Sequence, residues 1–252
     1  MAVVYGEVAA NLARAEAGLA EAAAAGAQCA VLPECCDVGW AHPQAAAYAE
    51  PIPGPRAAYF GDLARRYGLY VVAGLTETDG THCYNTAVFY SPAGTLLGTH
   101  RKINLLAGVE DMVYLPGNHL QVYDTAIGRV GIDICADNAQ SHLMLGRALG
   151  AMGAELILSP CAWAVRPADA AARTPYEEWL EPYGTLAREW GLTVIGVSNV
   201  GTVGAGAWAG WRCIGHSLAV TPAGVALTMP YGEDAAGVAV VDVPLGRSKG
   251  GL

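Results

Sequence analysis

The sequence predicts an α/β fold of four layers, an α-β-β-α sandwich in a single domain spanning residues 1–252, and three observations predict it. Amphipathic helix patterns alternate with short apolar strand patterns along the chain. Hairpins, which purely parallel α/β folds seldom contain, interrupt that alternation, so the sheets should carry helices on one face and pack against each other with the other. Finally, 53% of the residues are hydrophobic and only 15% charged, enough apolar material for such a core.

The elements follow in order. From Glu7 to Gly26, Val8, Leu12, Ala15, Leu19 and Ala23 recur three or four residues apart, as on one face of a helix. The run Cys29 to Leu32 is too short for another helix and reads as a strand. Phe60, Leu63, Ala64 and Tyr67 mark a second helix, ended near Gly68, and Leu69 to Ala73 is a buried strand. Two strands, Cys83 to Tyr90 and Thr95 to Arg101, flank the turn Ser91-Pro92-Ala93-Gly94. Residues Ile103 to Asn118 have no clear period. Strands at 119–124 and 129–135, a helix near Ser141 to Met152, a strand Glu155 to Ser159, a helix near Tyr176 to Trp190 kinked at Pro182, and a strand Leu192 to Ser198 follow. A C-terminal hairpin turns at Pro222-Ala223-Gly224 and carries strands on to Val243. There is no internal repeat and no low-complexity linker.

Composition narrows the function. With 23 acidic and 14 basic residues, the formal charge of −9 disfavours nucleic acid and anionic membrane surfaces. No apolar run reaches the roughly 18–20 residues of a membrane span, and no basic and apolar N-terminal pattern marks a secretory signal, so a cytoplasmic protein is expected. Seven cysteines without paired C-x-x-C spacing argue against a disulfide framework and a zinc site, and most read as small buried hydrophobes. The six histidines never fall at ligand spacing, and neither metal nor cofactor is expected. The glycine-rich GTVGAGAWAG (201–210) leads into no helix and reads as a flexible loop, not a phosphate cradle. Ser217 lacks the second glycine of a nucleophile elbow, and Ser248-Lys249 lies in a tail, so a serine hydrolase is disfavoured.

Three segments place a reactive side chain at the end of a strand: VLPE (31–34), THRKINL (99–105) and VGIDICAD (130–137). Amide hydrolysis needs a nucleophile, a base that takes its proton and returns it to the leaving nitrogen, and a site for the oxyanion. Cys135, Glu34 and Lys102 are of the types that fill those roles, because a thiol with a pKa of roughly 8.5 is mostly protonated at neutral pH and needs a base and a cation beside it. The backbone N–H of Ala136 would be a second oxyanion donor, with Asp137 or Asn138 capping the helix after Cys135. Singly, each residue also has a plain reading: a strand cysteine in the core, a loop glutamate, a surface lysine.

Their order and spacing resemble the nitrilase superfamily of carbon–nitrogen hydrolases, which carry Glu, Lys and Cys in L-P-E, H-R-K and G-x-x-I-C contexts. Here Lys102 lies 68 residues after Glu34 and Cys135 lies 33 after Lys102. The resemblance runs through NLARAEAGLAEAAAAGA, FYSPAGTLLGTHRK, LPGN, GAELILSP and GHSLAVTPAG, nearly the whole chain. It implies a small-molecule amide substrate, a Cys thioester intermediate, release of ammonia or an amine, and a homodimer or higher homo-oligomer formed through the face bearing the Cys helix. It also implies a role for Glu110, eight residues after Lys102, in touching the Lys and substrate; the competing reading is a solvated acidic loop with Asp111. Asn199 matches a position that closes a strand near the active site. Cys161 and Trp163 fall where the family builds its acyl or leaving-group pocket, Trp163 being either a pocket wall or a core aromatic.

Departures from the pattern bear on substrate. Ala136-Asp137 stands where true nitrilases have Trp-Glu, which favours the amidase-like branch over nitriles. Asn138-Ala139-Gln140 lacks the Arg that many N-carbamoyl amino acid hydrolases place there, although Arg166 or Arg173 would be able to approach from another loop. Acyl transfer to an amine or thiol, N-carbamoyl or nitrile hydrolysis, and a non-catalytic assembly module are the alternatives; the intact Glu, Lys and Cys set speaks against the last. The family also begins with a strand before its first helix, and only ten residues precede Asn11. MAVVYGEV is therefore read as the tail of an apparently truncated first strand, from a late start, a trimmed chain or a deletion. Residues 1–6 should then form no full-length strand, and restoring an upstream segment should raise the melting temperature.

Overall fold

The computed structural model describes residues 1–170, 177–230, 232 and 235–245. The first half is α1 (Val8–Ala24), β1 (Cys29–Val31), α2 (Ala45–Tyr48), α3 (Pro55–Tyr67), β2 (Tyr70–Thr78), β3 (Cys83–Tyr90) and β4 (Leu96–Arg101). The second half is β5 (Val122–Thr125), β6 (Gly128–Ile132), α4 (Leu143–Ala151), β7 (Leu156–Cys161), β8 (Ala164–Val165), α5 (Pro167–Ala170), α6 (Glu177–Trp190), β9 (Thr193–Ser198), β10 (Val200–Thr202), β11 (Arg212–Ile214), β12 (Leu218–Thr221) and β13 (Gly224–Thr228).

Two sheets form the centre. One has the order β1-β2-β3-β4 and the other β13-β12-β9-β7-β6-β5. Strand alternation sorts the side chains between layers. On β2, Val71, Ala73 and Leu75 pack with Leu19 of α1 and Phe60 and Leu63 of α3, while Val72 faces the other way into a cluster with Val130 and Ile132 of β6. On β3, Val88 and Tyr90 face the helices, and Ala87 and Phe89 face the second sheet. Leu145 and Leu149 of α4 and Tyr183 and Leu186 of α6 cover that sheet from outside. The order of layers is thus α-β-β-α, as the sequence predicts.

Local signals account for the edges of these elements. Pro55 opens α3, where its missing N–H costs nothing, and Gly68 closes it in the left-handed conformation at φ +65°. α6 runs unbroken through Pro182. The Ser91–Gly94 turn closes the β3–β4 hairpin as expected.

Three expectations are corrected. A small third sheet, β10-β11-β8, takes in Gly201 and Thr202 from the stretch read as a flexible loop; its strands of two or three residues are too short to leave a period. No strand follows Thr228 among the described residues: 235–245 forms no helix or strand, with Val238 packed on the α1 layer and the Pro244 carbonyl bonded to Thr193 Oγ1 at 2.9 Å. Asp137 and Asn138 do not cap α4; Asp137 instead accepts, at 3.1 Å, the N–H of Ile134, the residue that opens the turn after β6. Both residues lie inside a single 3₁₀ turn, Cys135–Asn138, and α4 begins after His142 with no side-chain cap. Residues 1–6 contribute one parallel bridge, Ala2 to Val200, and no strand.

Candidate active site

Glu34, Lys102 and Cys135 each lie just past a strand end, of β1, β4 and β6 respectively, and the two sheets bring these ends together. Glycine makes one approach possible. A Cβ on Gly74 of β2 would stand 2.6 Å from Glu34 Cα and from the Pro33 carbonyl oxygen, so only glycine lets the Glu34 loop lie on β2. Gly74 N–H donates to Pro33 O at 3.2 Å and Cys36 N–H to Gly74 O at 2.8 Å, and Glu34 N–H reaches across to Cys161 O at 3.2 Å.

Lys102 is buried and stands between two buried carboxylates. Its Nζ donates to Glu34 Oε1 and to Glu110 Oε1, both at 2.7 Å. Glu110 is therefore part of the site, and the solvated-loop reading is excluded; Asp111 is the exposed member of the pair. Glu110 is fully occupied, because Oε1 also accepts from Trp40 Nε1 at 2.7 Å and Asn85 Nδ2 at 3.3 Å, and Oε2 from Leu106 N–H at 2.9 Å. Glu34 is only half occupied. Oε1 accepts from Lys102 and from Asn85 Nδ2 at 2.6 Å, while the buried Oε2 has no partner among the described residues.

Two carboxylates around one ammonium, all out of water, cannot both ionise cheaply. Burial, opposed by Lys102 and reinforced by Glu110, pushes the Glu34 carboxyl up to about 7. Burial alone would lower Lys102, but Glu110 and then Glu34 outweigh it and hold the ammonium well above its ordinary value. Cys135 is pushed up by burial, then by Cys161 and Glu34, with only Lys102 pulling down, so the resting group is a thiol. Its backbone is in the left-handed region at φ +47°, a strained conformation for a non-glycine residue that the Cys135 N–H to Ser159 Oγ bond at 3.1 Å helps to hold.

Asp137 ties the Lys102 strand end to the Cys135 turn. Its Oδ1 accepts from Ile103 N–H at 3.2 Å, Asn104 N–H at 2.8 Å and Asn104 Nδ2 at 3.0 Å; Oδ2 accepts from Ile134 N–H at 3.1 Å and meets His100 Nε2 at 2.9 Å. Burial acts to raise this carboxyl, and the His100 bond and charge bring it below the usual carboxylate range. On the other side of the turn, Asn138 Nδ2 donates to Asp133 Oδ1 and, at 3.1 Å, to Ser159 Oγ.

The remaining candidates divide. Ala136 follows Cys135 in the turn and is buried. Cys161 sits beside Cys135, its Sγ 3.6 Å from the same Ser159 Oγ. Trp163 shares the Cys135 core cluster and stacks on Trp179 at 4.9 Å, which makes it a packed aromatic beside the site. Asn199, past the end of β9, is buried, and its carbonyl accepts from Gly215 N–H at 2.9 Å; no hydrogen bond joins it to Glu34, Lys102, Glu110 or Cys135 among the described residues. Arg166 is largely exposed, over the Trp211 ring, and Arg173 and Ser248-Lys249 lie outside the described residues. Asn85, Trp40 and Asp133 were not foreseen. A lone Asn in the apolar strand CYNTAVFY was the available signal, because a buried amide requires partners.

A cavity of about 620 Å³ lies elsewhere, lined by Leu19, Leu156, Leu158, Ile195, Leu218 and Val238 among others, and none of Glu34, Lys102, Glu110 or Cys135 borders it. Among the described residues no three His, Cys, Asp or Glu side chains are grouped to hold a metal ion, and no helix is long and apolar enough to cross a membrane.

Comparison with known proteins matches residues 1–250 to the model of the carbon-nitrogen hydrolase family. A nitrilase of Pyrococcus abyssi is 32% identical over 245 residues, covering 95% of this chain and 86% of its own. The omega-amidase NIT2 of Danio rerio is 35% identical over 162 residues, 61% of this chain, and the matched part spans 58% of that protein. Among solved structures, an amidase from Nesterenkonia sp. AN1 superposes with a TM-score of 0.79 at 23% identity, covering 96% of this chain and 90% of its own. Nit3 of Saccharomyces cerevisiae gives 0.77 at 22%, covering 92% and 84%. At those identities the structural likeness establishes the fold.

Proposed function

The chain belongs to the carbon–nitrogen hydrolase family, and on that premise we propose that it hydrolyses a small-molecule amide through a thioester on Cys135. The observation that carries this reading is the unpartnered Oε2 of Glu34, a buried acceptor on a carboxyl held near neutrality beside a thiol and an ammonium. A base of that kind can take a proton and give it back at the same pH.

In the proposed cycle Glu34 Oε2 takes the Cys135 proton as the sulfur attacks the amide carbon. The oxyanion is held by Lys102 Nζ and the Ala136 N–H. Collapse breaks the C–N bond, with Glu34 returning the proton to the leaving nitrogen, and ammonia or an amine departs. Water, deprotonated by Glu34, then attacks the thioester; the acid leaves and the thiol recovers its proton. Glu110 holds Lys102 in place throughout. The amide reading rests on Ala136-Asp137, and the Pyrococcus abyssi relative named a nitrilase supports nitriles as the second reading. Association as a homodimer through the α4 face, where Met144 is 71% exposed, belongs to the same proposal; a monomer by sedimentation at micromolar concentration overturns it.

The test is a panel of matched amides and nitriles, followed by ammonia release and by the mass of the protein. Amides should turn over faster than their nitriles and leave a transient acyl increment on Cys135, and Cys135→Ala should show neither. Full turnover by Cys135→Ala at equal fold content overturns the nucleophile; a nitrile faster than its amide overturns the substrate class.

A further inference from the structure

The hydrolytic cycle leaves one neighbouring thiol without a task. β6 and β7 run parallel with Ile132 opposite Leu158, and the Asp133 N–H to Leu158 O bond at 3.4 Å continues the pairing past the end of β6. Three residues further on from that pair stand Cys135, past the end of β6 in the 3₁₀ turn, and Cys161, the last residue of β7.

Side-chain contacts bring the two residues together independently of the register. Ser159 Oγ accepts the Cys135 N–H at 3.1 Å and the Cys161 thiol at 3.6 Å, so one hydroxyl touches both. Both cysteines are free, buried and in the same core cluster, and Cys161 is near enough to help raise the Cys135 thiol. Cys161 is also anchored: its carbonyl accepts the Glu34 N–H, and its thiol lies 3.7 Å from Tyr183 OH. A nucleophilic sulfur with a second thiol fixed beside it is the arrangement that converts a sulfenic acid into a disulfide before further oxidation.

We propose that Cys135 and Cys161 are an oxidation site, where a hydroperoxide small enough to enter the amide site closes an intramolecular disulfide that reversibly stops hydrolysis. This rests on the reading of Cys135 as the nucleophile. Glu34 takes the Cys135 proton and the thiolate attacks one peroxide oxygen; the O–O bond breaks, leaving Cys135 sulfenic acid and an alkoxide, or hydroxide from hydrogen peroxide, which takes the proton back from Glu34 to depart as alcohol or water. The Cys161 sulfur then attacks the Cys135 sulfur, the S–O bond breaks, and the hydroxide leaves with the Cys161 proton as water. Two thiols lose two electrons, and one peroxide gains them. A dithiol reductant reverses the cross-link by thiol–disulfide exchange.

The test exposes the full chain to hydrogen peroxide and reads intact mass, alkylatable thiols after denaturation, the peptide map, and amide hydrolysis relative to each protein's own untreated rate. The expected product is lighter by two hydrogens, has two fewer alkylatable thiols and joins the Cys135 and Cys161 peptides. Its activity falls in proportion to the linked fraction and returns with dithiothreitol. Cys161→Ala and, separately, Cys161→Ser should form no such link, and their Cys135 should go on to the sulfinic acid, with a loss that dithiothreitol does not restore. Oxidised wild-type protein carrying added oxygen on Cys135 without the linked peptide overturns the proposal, whatever the variants do. Mass and map need no turnover, so the link appearing in a protein that hydrolyses no amide refutes the amide reading alone, and an active amidase that forms no link refutes the pair alone.

Discussion

Glu34 and Glu110 are two buried glutamates on the same ammonium, and they differ in what their second oxygen does. Glu110 Oε2 is taken by the Leu106 N–H, whereas Glu34 Oε2 is open. Chain spacing brings both to Lys102, but it contains nothing about which oxygen is occupied. The donor that decides it is the Leu106 N–H, aimed by the loop between Lys102 and Glu110, while Asn85 of β3 and Trp40 of the loop after β1 bond only to the Oε1 atoms. The consequence is a signed pH prediction. In the proposed cycle Glu34 must be ionised to accept the thiol proton, so kcat/KM should fall as pH drops through about 7. Glu34→Gln should lose at least roughly 10² in rate, the low end of general acid–base contributions, and the acid limb should vanish. Glu110→Gln should keep the limb but move it to lower pH, because Glu110 is one of the charges holding Glu34 up. A pH–rate series on the three proteins decides this; a Glu110→Gln limb at unchanged or higher pH contradicts it.

At the scale of elements, the site was legible where a pattern was long and illegible where it was short or arose from packing. The hairpin β3–β4 and the strands before Glu34, Lys102 and Cys135 could be read because alternation or apolar runs ended at recognisable residues. β8, β10 and β11 could not, since two or three residues carry no period. The stretch 235–245 has strand-like valines, yet Val238 lies on the α1 layer, Val240 is exposed, and the segment forms no strand. The crossing of β2 under the Glu34 loop was equally hidden, because a glycine in the middle of YVVAGLTET shows its purpose only when the loop is in place. There the added Cβ of Gly74→Ala would meet rigid backbone at 2.6 Å, not a side chain able to move aside. The loop must lift, taking Glu34 away from Lys102 and Cys135. We expect a stability loss of about 1–3 kcal/mol, as for overpacking, together with a fall in kcat disproportionate to the unfolded fraction. Thermal melts and rates on Gly74→Ala measure both, and a stable variant with the parent rate contradicts the close approach as the reason for glycine.

The charge of the whole molecule is −9, and a chain with 23 acidic residues becomes more self-repelling as pH rises. Most of that repulsion is spread over the surface, but one contribution is concentrated in the interior at Asp133. This carboxyl is fully buried on the continuation of β6, with Oδ1 bonded to Asn138 and Oδ2 unpartnered among the described residues, and burial followed by Asp137 pushes it up to about 7. The folded protein therefore holds a proton that the unfolded chain, with an ordinary aspartate near 3.8, has already released. Stability from this group is complete below about pH 4, declines as pH rises toward 7, and is gone above the folded value. Asp133→Asn keeps an acceptor for Asn138 and cannot ionise. Its stability minus that of the parent should grow between about pH 4 and 7, by roughly 2–4 kcal/mol, and stay level above. Taking the difference cancels the surface repulsion and the opposite trend of Asp137, whose depressed carboxyl contributes stability that is lost as pH falls. Denaturant unfolding of both proteins across pH 4 to 8 reads the curve directly, and a difference that is flat or falls with pH would show that Asp133 is ionised in the fold.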